Sequence, residues 1–326
     1  MMSDRLAYVG ALVELARGDN RIWCLDSDTG GCGEFLAEFP DRYADLGIAE
    51  QNLMSIGAAF ASAGLLPFVN TMAAFASARA LEQVKVDIAY HDLPVRIVGT
   101  HSGLSGAHFG PTHHAQHDIA SLRALPNLTV LVPADPAETA RAVRAAAYLP
   151  GPVYLRLGHL PVGSVYDGPA EFVVGAAVSL RSGADLTIVA AGGYPVRFAL
   201  EAAAELESVG VGAAVLNVPT IKPLDLPALV AAAERGPVVT VEDHSVFGGL
   251  GGAVAEALAE HRPVRVCRVG VRDAFCALPG GHVDQLAAAG VSTSAVLAAA
   301  RTALGLSFPL TTAGSRPAVT AGGMSP

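Results

Sequence analysis

The chain has 326 residues, of which 52% are hydrophobic and 16% charged, with a mean hydropathy of +0.43. This composition excludes a disordered polymer and predicts well-covered cores, and at roughly 150 residues per domain the length points to two domains. Twenty-one basic against 30 acidic residues leave a net charge of −9, which argues against nucleic acid as a partner because phosphate binding needs a basic surface.

In chain order, residues 5–16 read as a helix ending near Gly18, and 21–26 as a short apolar strand. The stretch 51–78 carries no charge and is long enough to span a membrane. Gly57, Gly64, Pro67 and Asn70 interrupt it, so it reads as a helix over 47–63, a strand over 66–69 and the start of a long helix over 73–90; no membrane association is expected. A strand at 95–99 leads into a glycine- and histidine-rich loop, 100–116. A helix (118–123), a strand (129–132), a helix (136–147) and a strand (153–157) follow. Strands alternating with helices imply a parallel sheet covered on both faces.

Residues 158–169 are rich in Gly and Pro and read as a linker. The alternation then restarts, with strands near 185–190, 213–217, 237–242 and 264–268 and helices over 194–209, 226–234, 251–261 and 283–304. The fold class is therefore α/β with two parallel-sheet domains, 1–165 and a smaller 166–306, followed by a tail, 307–326, expected to be disordered. The four cysteines, at 24, 32, 267 and 276, form no CxxC pair. With no signal peptide at the N-terminus, a reducing, cytoplasmic setting is expected.

Ligand sites of parallel α/β sheets lie beyond the carboxyl ends of the strands, where three features fall. Glu50, in Asp45-Leu-Gly-Ile-Ala-Glu50-Gln-Asn, opens an almost uncharged helix. It is either an acid favoured by the helix dipole or a carboxylate whose burial is costly unless something pairs with it. The loop Thr100-His-Ser-Gly-Leu-Ser-Gly-Ala-His-Phe-Gly-Pro-Thr-His-His-Ala-Gln-His-Asp118 holds five of the ten histidines. His113 and His117 have a metal-binding spacing, but no cysteine or carboxylate cluster accompanies them; imidazoles reading a polyhydroxy or carbonyl substrate suit the loop better. Arg156 ends a strand and reads either as a surface ion pair or as an anion clamp. In the second half, Val241-Glu-Asp-His-Ser-Val-Phe-Gly-Gly-Leu-Gly-Gly252 lacks the GxGxxG pattern and reads as a tight strand-to-helix turn.

Taken together these stretches resemble one family over nearly the whole chain to about residue 306. The sequence is similar to the C-terminal half of a transketolase, as the separate small subunit of a split, two-gene enzyme. The resemblance is carried by Arg5-Leu-Ala-Tyr-Val-Gly-Ala-Leu-Val-Glu-Leu, Gly47-Ile-Ala-Glu-Gln-Asn, Phe75-Ala-Ser-Ala-Arg-Ala-Leu-Glu-Gln-Val and Thr100-His-Ser-Gly-Leu. Further matches are Gly110-Pro-Thr-His113, Leu125-Pro-Asn-Leu-Thr-Val-Leu-Val-Pro-Ala-Asp135 and Gly151-Pro-Val-Tyr-Leu-Arg156.

The resemblance implies a pyrimidine-binding domain of thiamine-diphosphate type followed by a transketolase C-terminal domain. It implies that Glu50 bonds a ring nitrogen of the aminopyrimidine, its burial raising its proton affinity, that Phe75 stacks on that ring, and that Asp28 lies near the cofactor. His101 and His113 match histidines that contact the substrate, and Arg156 and Arg5 match arginines that bind its phosphate. The Gly-Asp-Gly motif and downstream Asn with which the family holds diphosphate and Mg²⁺ do not occur here; Gly18-Asp-Asn20 is not one. No metal ligand is therefore assigned to this chain, and an N-terminal-type partner subunit in an α2β2 assembly is expected to supply them. The alternatives are the β subunit of a 2-oxo-acid dehydrogenase and a non-catalytic structural subunit.

The sequence departs from the family at the substrate pocket. Transketolases read Gly-Glu-Asp-Gly where this chain reads Ala107-His108-Phe109-Gly110, so Phe109 replaces an aspartate that contacts a substrate hydroxyl. His114 and His117 stand where a glutamine and a glutamate are usual, and Cys32 stands at the position of a phosphate-contacting serine. An intact cofactor site with non-standard substrate specificity is expected.

Overall fold

The structure is a computed structural model that describes residues 2–306 except 167, 169, 170 and 278; the expected tail, 307–326, lies outside the described residues. Twelve strands are defined among the described residues. They are β1 (Ile22–Asp26), β2 (Tyr43–Asp45), β3 (Leu66–Met72), β4 (Arg96–Thr100), β5 (Thr129–Leu131), β6 (Val153–Arg156), β7 (Val178–Arg181), β8 (Leu186–Ala191), β9 (Ala213–Asn217), β10 (Thr220–Lys222), β11 (Val238–Ser245) and β12 (Val266–Val271).

Seven of them form the first sheet, in the order β10-β5-β6-β4-β3-β1-β2, parallel except for β10. The second sheet runs β12-β11-β8-β9-β7, parallel except for the edge strand β7. The α/β class with two mostly parallel sheets is thus as expected. The predominantly apolar central strands β3, β4, β6 and β8 are buried along almost their whole length, which is what helices on both faces of a parallel sheet require.

Local chemistry sets the helix starts. Asp135 caps Pro136–Ala147 by accepting from the Glu138 N–H at 2.7 Å, and Pro136 occupies the first turn. Asp225 and Ser292 cap Leu226–Arg235 and Thr293–Leu304 in the same way. On one face of the first sheet, Tyr8, Leu12 and Ala16 of the helix Asp4–Gly18 pack with Ala142, Val143 and Ala146.

Several elements differ from those expected. The helix expected over 73–90 is wound in π turns at Phe75–Arg79 and Val84–Ala89, around the short α turn Leu81–Gln83. The helix expected over 283–304 is two helices, His282–Ala288 and Thr293–Leu304. Strands β2, β7 and β10 have no counterpart among the expected elements: two are three residues long and β7 is a half-exposed edge, so none carries a clear periodic signal.

The two halves share structure. Strand β10, from the second half, pairs antiparallel with β5 of the first sheet, and the Lys222 ammonium bonds the carbonyls of Arg123 and Leu125. One hydrophobic core joins Val69, Ile97 and Val130 of the first sheet to Val189, Leu216 and Val238 of the second. At the same junction Gly103 has φ +60°, and a Cβ there would overlap the Asp243 carboxyl group. Its lack of a side chain lets Asp243 approach and accept from the Leu104 N–H at 3.0 Å, while His282 Nε2 lies 2.8 Å from the same carboxylate.

Candidate active site

A pocket of about 280 Å³ opens beyond the carboxyl ends of β1 and β3, where a parallel sheet is expected to hold its ligand. Asp28 and Thr29 follow β1, Thr71 and Met72 end β3, and Glu50, Phe75, Arg79 and His113 complete most of the wall. The structure therefore brings Asp28, Glu50, Phe75 and His113, which lie up to 85 residues apart, to one place.

Glu50 is the first residue of the helix Glu50–Ser62 and only 2% exposed. Both of its carboxylate oxygens lie 2.9 Å from Arg79 Nη1. In the sequence this acid stands alone; in the structure it does not, because a cation 29 residues further on supplies the partner that burial demands. The Arg79 guanidinium also lies over the Phe75 ring, 4.1 Å from its centroid. Thr71 lines the same pocket, and its hydroxyl is buried without a hydrogen-bond partner.

Beyond Phe75 the rings form a continuous series. Phe75 meets His113 edge-on at 5.1 Å, His113 stacks on Phe109 at 5.1 Å, Phe109 meets His101 at 5.9 Å, and His101 stacks on His159 at 4.1 Å. Phe109 is 41% exposed, on the short turn Ala107–Phe109, with His108 against its ring. His101 directly follows β4 with φ +54° and is buried, its Nδ1 3.1 Å from the Thr100 hydroxyl. Burial, reinforced by the neighbouring His159 and Arg5, pushes its pKa down to about 3, so it is a neutral donor or acceptor at neutral pH.

Arg5 donates through Nη2 to the Thr29 carbonyl at 2.6 Å, crossing Gly31 so closely that a Cβ there would overlap the guanidinium. Gly31 is thus required for Arg5 to reach the β1 loop beside Asp28.

Arg156 departs from the expected anion clamp. It is 4% exposed, and its guanidinium holds Asp118 at 2.7 and 3.1 Å, the Asp243 carbonyl at 2.8 Å and the Ala115 carbonyl at 3.3 Å. Asp118 is fully buried and also accepts from the Tyr154 hydroxyl at 2.7 Å. The strand end that was expected to offer Arg156 to a ligand presents His159 to the ring series instead. His117 is exposed and sits before the helix Asp118–Arg123 rather than within it, so it does not share a helix face with His113. Among the described residues, no group of three or more His, Cys, Asp or Glu side chains is arranged to hold a metal.

The glycine-rich turn of the second half serves its own carboxylate. Glu242 accepts from the N–H groups of Leu250 and Gly251, at 2.7 and 2.8 Å, at the start of the helix Leu250–His261. The helix N-terminus that a nucleotide phosphate would need is filled from within, in keeping with a tight strand-to-helix turn. Thr71, Arg79, Asp118 and His159 are site residues that the sequence does not single out. Arg79 alone carries a signal there, as the first charge after the uncharged run 51–78.

The transketolase pyrimidine-binding domain family matches residues 1–163, and the transketolase C-terminal domain family matches residues 175–296. One subunit of an apulose-4-phosphate transketolase from Phocaeicola vulgatus is 42% identical over 278 residues, 84% of this chain and 88% of that one. A 6-deoxy-6-sulfo-D-fructose transketolase subunit from a Clostridium species is 42% identical over 275 residues, 83% of this chain and 85% of that one. Among solved structures, a split-gene transketolase described as an inactive β4 tetramer superposes with a TM-score of 0.87 at 42% identity, covering 94% of this chain and 99% of that chain. The transketolase of Campylobacter jejuni shares the fold, with a TM-score of 0.73 at 22% identity over 91% of this chain and 46% of that one. The family matches span both sheets and every residue of the pocket, and they show that the chain belongs to the transketolase family, as a counterpart of its separately encoded small subunits.

Proposed function

We propose that this chain is the small subunit of a thiamine-diphosphate-dependent enzyme that transfers a two-carbon ketol unit from a ketose or ketose phosphate to an aldehyde. The observation that carries this reading is the convergence of a buried carboxylate, Glu50, and an aromatic face, Phe75, in one pocket at the carboxyl ends of the strands. The pocket suits an aminopyrimidine: Glu50 can hold a ring nitrogen, Phe75 can take the ring face, and the unpartnered Thr71 hydroxyl offers a further polar contact. When bound, thiamine diphosphate supplies the thiazolium carbon to which the two-carbon unit attaches.

The chain's own residues divide the remaining tasks. Glu50 holds and shares a proton at the pyrimidine nitrogen, which is general acid–base assistance worth about 10²–10⁴ in rate. His101 and His113 bracket the substrate carbonyl and hydroxyls as hydrogen-bonding groups. Phe109 lies between them and replaces a carboxylate acceptor with an apolar ring, so the pocket favours substrates that lack a hydroxyl there. Arg5 supplies the positive charge beside the imidazoles of His101 and His159, and an anionic group on the substrate would sit against it.

The reading also includes a partner. Relatives at 42% identity are named as single subunits of transketolases, and this chain lacks the Gly-Asp-Gly motif. An N-terminal-type subunit would hold the diphosphate and Mg²⁺, most simply as α2β2. The four cysteines are unpaired, which suits a reducing cytoplasm. The test is to purify the chain alone and co-expressed with the N-terminal-type subunit, then to measure cofactor binding by calorimetry and ketol transfer to a panel of aldehydes. Binding and transfer are expected only from the assembly. Tight Mg²⁺-dependent binding by the chain alone, or release of CO₂ from pyruvate without ketol transfer, would overturn the reading.

A further inference from the structure

We propose that Arg79 is a built-in occupant of the aminopyrimidine subsite, a stopper that the cofactor must displace; the inference rests on the function proposed above. A guanidinium is planar, cationic and rich in N–H donors. Here it makes the two contacts that an aminopyrimidine would need, taking both Glu50 oxygens at 2.9 Å and covering the Phe75 ring at 4.1 Å. A ring stacked on Phe75 and bonded to Glu50 cannot share that space with it.

The surroundings give the guanidinium a way out. The Arg79 side chain is 45% exposed, so the guanidinium can turn out to solvent and leave Glu50 to the incoming ring. It lines both the 280 Å³ pocket and an adjoining cleft of about 480 Å³, walled by Ala74, Ala78, Pro111 and His117. Arg79 is therefore a movable partition between the two. Its backbone lies in the π turn Phe75–Arg79, where the Ala80 N–H reaches back five residues to the Phe75 carbonyl at 3.0 Å; such turns are frequent at functional sites.

The arrangement has a physical purpose. Glu50 is 2% exposed, and an unpaired charge in that position would destabilise the free subunit. Arg79 covers the charge until the cofactor arrives, and the free energy of breaking the pair is subtracted from the cofactor's affinity. A half-exposed pair of this kind contributes about 1–1.4 kcal/mol, which converts to roughly five- to tenfold in Kd.

The test uses the chain assembled with its N-terminal-type partner, with Kd for thiamine diphosphate in Mg²⁺ read by calorimetry. Arg79→Met removes the charge and both hydrogen bonds, and is expected to tighten binding five- to tenfold. Arg79→Lys keeps a charge near Glu50 while uncovering Phe75, and is expected to fall between Arg79→Met and wild type, which keeps the inference testable should Arg79→Met fail to fold. In Arg79→Ala, added methylguanidinium is expected to compete with the cofactor, and in wild type to have no effect. An unchanged Kd in Arg79→Met or Arg79→Lys overturns the stopper, and weaker binding overturns it by making Arg79 a ligand. If neither wild type nor any variant binds cofactor, and Glu50→Gln behaves the same, the cofactor reading itself fails and the stopper with it.

Discussion

The pair Arg156–Asp118 decides between two roles for the same arginine. Asp118 is fully buried and Arg156 nearly so, and the guanidinium spends its bonds on that carboxylate and on the carbonyls of Ala115 and Asp243. Two of these partners lie in the histidine loop or just after it, and one lies on β11, so Arg156 ties the loop and the second sheet to β6. Asp118→Ala would leave a buried cation without its counter-charge, which costs about 3–5 kcal/mol. At roughly 2–4 °C per kcal/mol the melting temperature falls by about 6–20 °C. Arg156→Met should be costly too, with a pH signature. In the wild type, burial pushes the Asp118 pKa up, but Arg156 and His244 outweigh it and hold it below the usual carboxylate range. The stability tied to that depression is present above about pH 4 and is lost as pH falls through the folded value. Without Arg156 the burial effect loses its main opponent, with only His244 and the Tyr154 hydroxyl bond left against it, so Asp118 takes a proton more readily and the deficit of Arg156→Met relative to wild type should shrink between pH 7 and pH 4. Calorimetric melts across that range, with KM for a phosphorylated and an unphosphorylated donor, make the comparison. An unchanged melting temperature in Asp118→Ala, or an Arg156→Met that melts normally yet shows a tenfold higher KM for the phosphorylated donor alone, would refute the strut and restore the anion clamp.

Other substitutions test the site and its surroundings. Glu50→Gln, assembled with its partner, should keep its fold and lose about 10²–10⁴ in turnover; wild-type exchange of the thiazolium proton in the variant would remove Glu50 from the acid's role. Phe109→Asp restores a charged acceptor, worth on the order of 1.5–3 kcal/mol, so kcat/KM for a 2-hydroxy aldehyde over its 2-deoxy analogue should rise roughly ten- to a hundredfold. A strong wild-type preference for the hydroxylated aldehyde, unchanged by the substitution, would show that this position does not set specificity. Asp4 is buried, and burial, with the Asp135 and Glu138 charges adding to it against a Gly158 backbone bond, raises its pKa from 3.8 to about 7. Such an acid withdraws stability as pH rises from the unfolded to the folded value, so Asp4→Asn should gain on wild type between pH 4 and pH 7, and a pH-independent difference in unfolding free energy would contradict this.

What is legible in the sequence follows the reach of local signals. Glu50, Phe75 and His101 are readable because each sits in a short motif at a strand or helix end, and His113 because it closes the Gly110-Pro-Thr-His113 motif of the loop between β4 and the helix Asp118–Arg123. Arg79 is visible only as a charge; its pairing with Glu50 depends on how the π turn at Phe75–Arg79 aims a side chain across to another helix, and no spacing in the sequence encodes that. Arg156 is ambiguous because a strand-end arginine looks the same whether it meets solvent or a buried carboxylate, and Asp118 lies 38 residues away. Strand β10 escapes for a related reason. Three residues cannot show a period, and only their pairing with β5 identifies them as a strand.

The same geometry separates the residues proposed to hold the cofactor from those proposed to read the substrate. The floor, Glu50, Thr71 and Phe75, is set by the end of β3 and by the helical segments beside it, whose burial leaves little freedom. The mouth is a loop of rings, His101, Phe109, His113 and His159, that hold one another by stacking rather than by the sheet. A ring on the half-exposed turn Ala107–Phe109 can replace a carboxylate there without exposing core or orphaning a buried partner. Under the proposed function, substitutions at the mouth are therefore expected to change which substrate fits while leaving the floor, and the cofactor chemistry proposed for it, in place. Substitutions at the floor would have to re-satisfy a buried charge, a constraint that does not act at Phe109.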